Sequence, residues 1–161
     1  MMNVIVVVDE NWAIGNDGDQ LVYIPADLKR FQALTTGKKV LLGRKTLATF
    51  PGGRPLKNRE NIVLSTCENL SIDGAQVVKT IDEALSCADA DTFIIGGASV
   101  YRQMLPHCKT AYVTKIHKAY PRSDTYFPDL DAADDWEVTG QEGPFQHEDI
   151  SFSYVTYRRK R

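Results

Sequence analysis

Cysteine is scarce in this 161-residue chain: Cys67, Cys87 and Cys108 are the only three, and they lie far apart. Such spacing suits neither a disulfide framework nor a clustered zinc site, so they read as reduced, structural thiols. His107, His117 and His147 have no second ligand three or four residues away, which leaves no local metal motif. No aliphatic run approaches the roughly 20 residues needed to cross a bilayer, residues 4–8 being typical of the longest. An excess of one charge is missing as well. With 19 Lys+Arg against 21 Asp+Glu the net charge is −2, which removes the electrostatic footprint of a dedicated nucleic-acid binder and favours a small ligand. Met1-Met2-Asn3 carries no cation before its apolar run and no small-residue cleavage site follows, so no signal peptide is expected and the cytoplasm is the expected compartment. Neither a Walker pattern nor Gly-x-Gly-x-x-Gly occurs.

What is present is 43% hydrophobic and 25% charged sequence with no repeat, low-complexity tract or linker, which predicts one globular domain over residues 1–161. Residues 2–8 form a β-branched run of the kind found in strands buried on both faces, and residues 39–42, 62–65 and 92–95 read similarly. Between them, helical spacing marks residues 25–35, 46–50, 81–88 and 99–105. Strands alternating with helices predict an α/β fold with a mostly parallel sheet. After His107 the helices stop, and residues 111–116, 136–139 and 151–158 alternate as strands, so the end of the sheet is expected to be antiparallel. The polar, Gly- and Pro-containing residues 140–149 read as the hairpin connection of the last two strands.

Four segments are suited to chemistry. Residues 9–24 form a long irregular stretch after the first buried strand, either a plain connection or a lid. Pro25-Ala26-Asp27-Leu28 reads as a helix start, with Asp27 as a helix-terminus charge or as a carboxylate sharing an apolar pocket with Phe31. Gly43-Arg44-Lys45-Thr46 follows a strand and opens a helix, which is a phosphate site in outline or a solvated turn with two surface cations. Ile94-Ile95-Gly96-Gly97-Ala98-Ser99 repeats that arrangement. Two such turns suggest a ligand with two separate phosphate groups, and Arg44 and Lys45, with Ser65 and Thr66 at the end of another strand, would suit an extra ribose phosphate.

Taken in order, Ile14-Gly15, Ile24-Pro25-Ala26-Asp27-Leu28, Gly43-Arg44-Lys45-Thr46, Arg54-Pro55-Leu56 with Arg59, Ile95-Gly96-Gly97, Tyr112-Val113-Thr114 and Asp124-Thr125-Tyr126-Phe127-Pro128 resemble bacterial dihydrofolate reductase. The resemblance runs from Met2 to the last strand. It implies a central eight-stranded, mostly parallel sheet with flanking helices and an antiparallel C-terminal edge, a monomer, and NADPH and 7,8-dihydrofolate in adjoining clefts. By the same resemblance Asp27, aided by Thr114, pairs with the pterin ring nitrogen and 2-amino group. Ile5, Leu28, Phe31, Phe50, Leu56 and Ile95 belong with the substrate, and Arg59 with the α-carboxylate of its glutamate tail. Arg44, Lys45, Thr46, Ser65 and Thr66, with Gly43, match the surroundings of the adenosine 2′-phosphate and bridging phosphates. Gly96, Gly97, Ala98, Ser99, Val100 and Tyr101 match the second phosphate turn and nicotinamide wall. Val7, Ile14 and Gly15 hold the nicotinamide end while the 9–24 loop closes over it. Hydride would pass from nicotinamide C4 to pterin C6, with the N5 proton coming from solvent, and burial is expected to raise the Asp27 pKa while its helix-terminus position opposes the rise.

Two departures from the family pattern stand out. Leu21-Val22 replaces the usual Pro-Trp, with Tyr23 offset by one residue and Trp12 read as packing or as exposed loop, and Ala98 replaces a glycine. A non-catalytic binding domain and a same-fold reductase of another heterocycle, as in riboflavin synthesis, are the competing readings. Arg158-Arg159-Lys160-Arg161 reads as a solvated terminal run rather than a nucleic-acid tail.

Overall fold

The β-branched run at the start forms β1 (Met2–Val8), in which every side chain except the partly covered Val7 is buried. A strand with no polar face must be covered on both sides, and here it sits inside the sheet. The computed structural model describes residues 1–15, 22–121 and 123–160. Among these, the strands following β1 and β2 (Ala13–Gly15) are β3 (Lys39–Gly43), β4 (Glu60–Leu64), β5 (Ala75–Val78), β6 (Phe93–Gly96), β7 (Cys108–Ile116), β8 (Thr125–Tyr126), β9 (Trp136–His147) and β10 (Ile150–Arg159). Eight of them form one sheet in the order β5-β4-β3-β6-β1-β7-β10-β9. Its pairs are parallel from β5 to β7 and antiparallel from β7 to β9, as the sequence predicts.

Helices α1 (Pro25–Thr35), α2 (Arg44–Ala48), α3 (Ile81–Cys87) and α4 (Ala98–Met104) lie between the strands. Alternation along the strands divides the core. Val4, Val6, Leu41, Ile94 and Val113 pack with Ala84, Val100 and Met104 of α3 and α4. Ile5, Val40, Leu42 and Phe93 pack on the other face with Phe31, Leu34 and Leu47 of α1 and α2. No described helix is long and apolar enough to cross a membrane.

Three parts differ from the sequence reading. Helix α2 begins at Arg44 rather than 46, directly after the extended Gly43, and residues 49–50 close it with bonds back to Thr46 and Leu47. The four-residue β5 lies at the sheet edge with only Val78 buried, which is too weak a pattern to stand out. Most of residues 140–149, expected as the hairpin connection, extend β9 to His147, and the turn is confined to Glu148 and Asp149. The reason is its edge position: side chains from Glu137 to Gln146 are exposed, and Pro144 sits where the pairing shifts between Phe145↔Phe152 and Glu142↔Tyr154. At such a bulge a missing N–H costs no ladder bond.

The terminal cations are also not all solvated. Arg159 donates to the carbonyls of Leu105 (2.6 Å) and Cys108 (2.9 Å), pairs with Asp135 (2.6 Å) and lies 4.5 Å from the Trp136 ring centroid. Arg161 lies outside the described residues.

The 9–24 stretch is tied down at its start. Asp9 is 2% exposed, and its carboxylate accepts the N–H groups of Asn11 (2.8 Å), Ala13 (2.9 Å) and Tyr120 (2.9 Å). The short β2 pairs with β8, the Asp124 N–H donates to the Gly15 carbonyl at 3.1 Å, and buried Trp12 stacks on Phe127. Residues 16–21, including Gly18 and Leu21, lie outside the described residues. Replacing Asp9 by Ala would leave three amides without their acceptor, so Asp9→Ala is expected to lose about 2–4 kcal/mol in urea unfolding. Faster hydrogen exchange at Ala13 and Tyr120 is the accompanying local signature.

Candidate active site

The parallel strands deliver their carboxyl ends to one edge of the sheet, and both glycine turns are there. Because β3 and β6 are neighbours, with Leu42 opposite Gly96, the start of α2 and the start of α4 lie side by side. Thr46 fills the gap between them. A Cβ on Gly97 would stand 3.1 Å from Thr46 Oγ1, and one on Gly96 3.2 Å from it. Gly96 also has φ +136°, a conformation that side chains other than glycine's strongly disfavour. A Cβ on Gly43 would meet Val100 Cγ2 at 3.1 Å, so backbone comes close where larger residues would hold it apart. Ser65 and Thr66 follow β4, whose Leu64 pairs with Gly43, and this register brings them beside Arg44. Arg44 and Lys45 are exposed, while Ala98 takes the missing glycine's place half-buried at the head of α4. Tyr101 is buried behind the turn and its hydroxyl donates to the Ile5 carbonyl at 2.8 Å. Burial and the nearby Asp27 charge push the Tyr101 hydroxyl well above its usual pKa, so it stays a donor.

Asp27 faces these turns from the first turn of α1, which Pro25 opens without losing a helical N–H bond. Its partner comes from β7: the buried Thr114 hydroxyl, level with Val7 of β1, donates to Asp27 Oδ1 at 2.5 Å. Burial raises the carboxyl pKa, and the Thr114 hydrogen bond and the Arg30 charge oppose the rise. Ile5, Phe31, Phe50, Leu56 and Ile95 join one apolar cluster beside this pair. Leu28, expected with these residues, is 40% exposed and stands outside that cluster, and Tyr23 is 62% exposed. Val7 is partly covered, and Ile14 and Gly15 sit on β2 above the strand ends.

Arg59 is placed by groups that spacing alone does not reveal. Its Nε donates to Thr35 Oγ1 (3.1 Å), its Nη1 to the Lys57 carbonyl (2.7 Å), and its guanidinium lies 5.8 Å from the Phe31 ring centroid. Burial lowers the Arg59 pKa from a high starting point, and the group stays charged. The loop carrying it is held by Asn61, 2% exposed, which accepts the Leu56 N–H and donates to the carbonyls of Leu56 (2.9 Å) and Arg59 (3.2 Å). Its one legible signal is a polar residue directly before the apolar run of residues 62–64. Arg30, packed on Tyr112 and Tyr154 beside Asp27, left no such signal.

A family model described as dihydrofolate reductase matches residues 1–159. The chain belongs to the dihydrofolate reductase family. The dihydrofolate reductase of Bacillus subtilis is 32% identical over 164 residues, covering 99% of this chain and 95% of that protein. The HdrB dihydrofolate reductase of Haloferax volcanii is 33% identical, covering 97% of this chain and 82% of its own. A solved dihydrofolate reductase from Enterococcus faecalis, complexed with NADP(H) and RAB-propyl, superposes with a TM-score of 0.89 at 32% identity, covering 100% of this chain and 97% of that one.

The raised pKa gives this reductase a pH signature in its stability. A carboxyl that holds its proton more tightly when folded favours the fold below its unfolded pKa, and that benefit is lost as pH rises through the folded pKa. At neutral pH the ionised Asp27 therefore weakens the fold. Asp27→Asn, whose amide oxygen still accepts from Thr114, is expected to gain stability relative to the parent as pH rises from acid to neutral. Urea unfolding at a series of pH values checks this, and a constant or inverted difference contradicts it.

Proposed function

We propose that this chain reduces 7,8-dihydrofolate to 5,6,7,8-tetrahydrofolate with NADPH as hydride donor, and that Asp27 is the carboxylate that anchors the pterin. The observation that carries this reading is the Asp27–Thr114 pair, a half-buried carboxylate beside an apolar cluster on the same sheet edge as two glycine turns. The residues present suit the cofactor. Gly43, Gly96 and Gly97 leave a cradle where Cβ atoms would crowd Val100 or Thr46, and Arg44, Lys45, Thr46, Ser65 and Thr66 offer cations and hydroxyls to phosphates. Tyr101 and Val100 support the turn from behind, and Val7, Ile14 and Gly15 are assigned to the nicotinamide end.

NADPH, when bound, supplies a hydride from C4 of its nicotinamide. The remaining work belongs to the chain. A planar amidine-like edge, the ring nitrogen with the 2-amino group, matches the two oxygens of Asp27, and pairing there fixes the pterin in the plane that presents C6. Asp27 engages that edge and does not reach N5, so the N5 proton comes from solvent, with the carboxylate favouring the required protonation state through its field. Arg59 holds the tail carboxylate. Asp9 and the β2–β8 pairing hold residues 9–15 in place beside the strand ends. A monomer acting on a small molecule without nucleic acid or membrane, in the cytoplasm, is part of the same proposal.

The direct test is loss of NADPH absorbance on adding dihydrofolate. The parent should turn over, and Asp27→Asn should lose roughly 10²–10⁴ in rate at neutral pH. A protein that binds both ligands without oxidising NADPH would overturn the assignment. For Arg59→Ala, losing a charge-assisted pairing worth about 2 kcal/mol predicts a rise in KM of roughly thirtyfold, with kcat little changed. An equal fall in kcat would place Arg59 elsewhere in the reaction.

A further inference from the structure

Arg30 lies one turn beyond Asp27 on the same face of α1, three residues on. Its guanidinium carbon is 4.1 Å from the Tyr154 ring centroid and 6.0 Å from that of Tyr112. Tyr154 of β10 is the direct cross-strand partner of Thr114, so this cation stacks on the residue beside the hydroxyl that holds Asp27. Its Nη1 is buried and has no hydrogen-bond acceptor, and among the described residues no carboxylate comes within ion-pair distance of Arg30. Buried donors are normally paired, and a guanidinium can be kept charged by aromatic faces because it is weakly hydrated. A charge held in that way acts through its field rather than through a bond.

We propose that Arg30 is a positioning residue for the pocket carboxylate: held by aromatic faces rather than by a counter-charge, its guanidinium keeps Asp27 in the ionised form that pairs with the pterin. The role rests on the reading of Asp27 given above. The groups around Asp27 leave few other candidates. Thr114 of β7 is neutral, and the hydroxyls of Tyr101 on α4 and Tyr154 on β10 are pushed up by burial and by Asp27 itself, so they remain protonated. Tyr112 of β7 adds an aromatic face. Glu142, the exposed cross-strand partner of Tyr154 on β9, is a further carboxylate acting on that tyrosine. Thus the Arg30 charge, together with the Thr114 hydrogen bond, works against the desolvation that favours a neutral Asp27.

The test reads Asp27 directly, by carbon-13 carboxyl NMR titration of ligand-free protein. In Arg30→Met the Asp27 midpoint should move upward, and Arg30→Lys should bring it back towards the parent value. Arg30→Gln keeps a planar polar group without charge, so it should behave like Met and serves if Met does not fold. In the neutral variants, kcat/KM for dihydrofolate should fall about three- to tenfold on the acid side of the midpoint and converge with the parent at higher pH. An unmoved midpoint in a cooperatively folded Met or Gln variant overturns the proposal. Because the titration contains neither substrate nor NADPH, its outcome is independent of whether the protein turns over dihydrofolate.

Discussion

Everything in this molecule hangs on one strand that has no exposed face to offer. β1 pairs with β6 on one side and with β7 on the other, and its ladder to β7 runs unbroken from Asn3 to Val8. Buried on both faces, it requires helices above and below, and parallel neighbours require crossovers that carry those helices. The consequence for function is geometric. Parallel strands point their carboxyl ends the same way, so the turns that leave β1, β3 and β6 gather at one edge, where ligands bind in folds of this kind. Asp27 reaches that edge on the helix between β1 and β3, and Thr114 reaches it on β7.

The cleft places groups where the fold alone would not favour them. A carboxylate half-withdrawn from water weakens the native state at neutral pH, and it is retained with a hydroxyl and a nearby cation that limit its neutralisation. The same sheet edge holds a glycine whose φ other residues avoid and an arginine with a buried unpaired nitrogen. Such departures concentrate at sites of chemistry, because the surrounding core is stable enough to impose them. Away from the cleft, Arg159 staples the carbonyls near β7, and Tyr157 and Lys115 share Asp131.

Much of this was legible in the residues, and the parts that were not share a cause. β1, β3, β6 and α1 follow from local pattern, since each buries a continuous apolar run or a helical stripe. β2 and β8, three and two residues long, exist through their mutual pairing, and β5 through its pairing with β4; no local pattern announces a tertiary bond. Gly140, Gly143 and Pro144 signalled a turn, yet on an edge strand with a bulge they are compatible with continued pairing. For the site, Asp27 and the glycine turns could be nominated from residue type, but Arg59 read in isolation is a surface arginine. Only the ordered set of motifs, through its family resemblance, marked it. Arg30 and Asn61 act through what they touch across the fold, Tyr154 in one case and the loop carrying Arg59 in the other, and that information is absent from a linear reading.

On the function proposed for this cleft, pterin and nicotinamide meet with one pair of carbons between which hydride passes. Isotope transfer follows that pair. With NADPH carrying deuterium at both C4 positions and dihydrofolate in ordinary water, the product should be tetrahydrofolate one mass unit heavier, with the label at pterin C6 and none at N5. Unlabelled product, or a label elsewhere on the pterin, would contradict the arrangement of Asp27, Thr114 and the glycine turns described here.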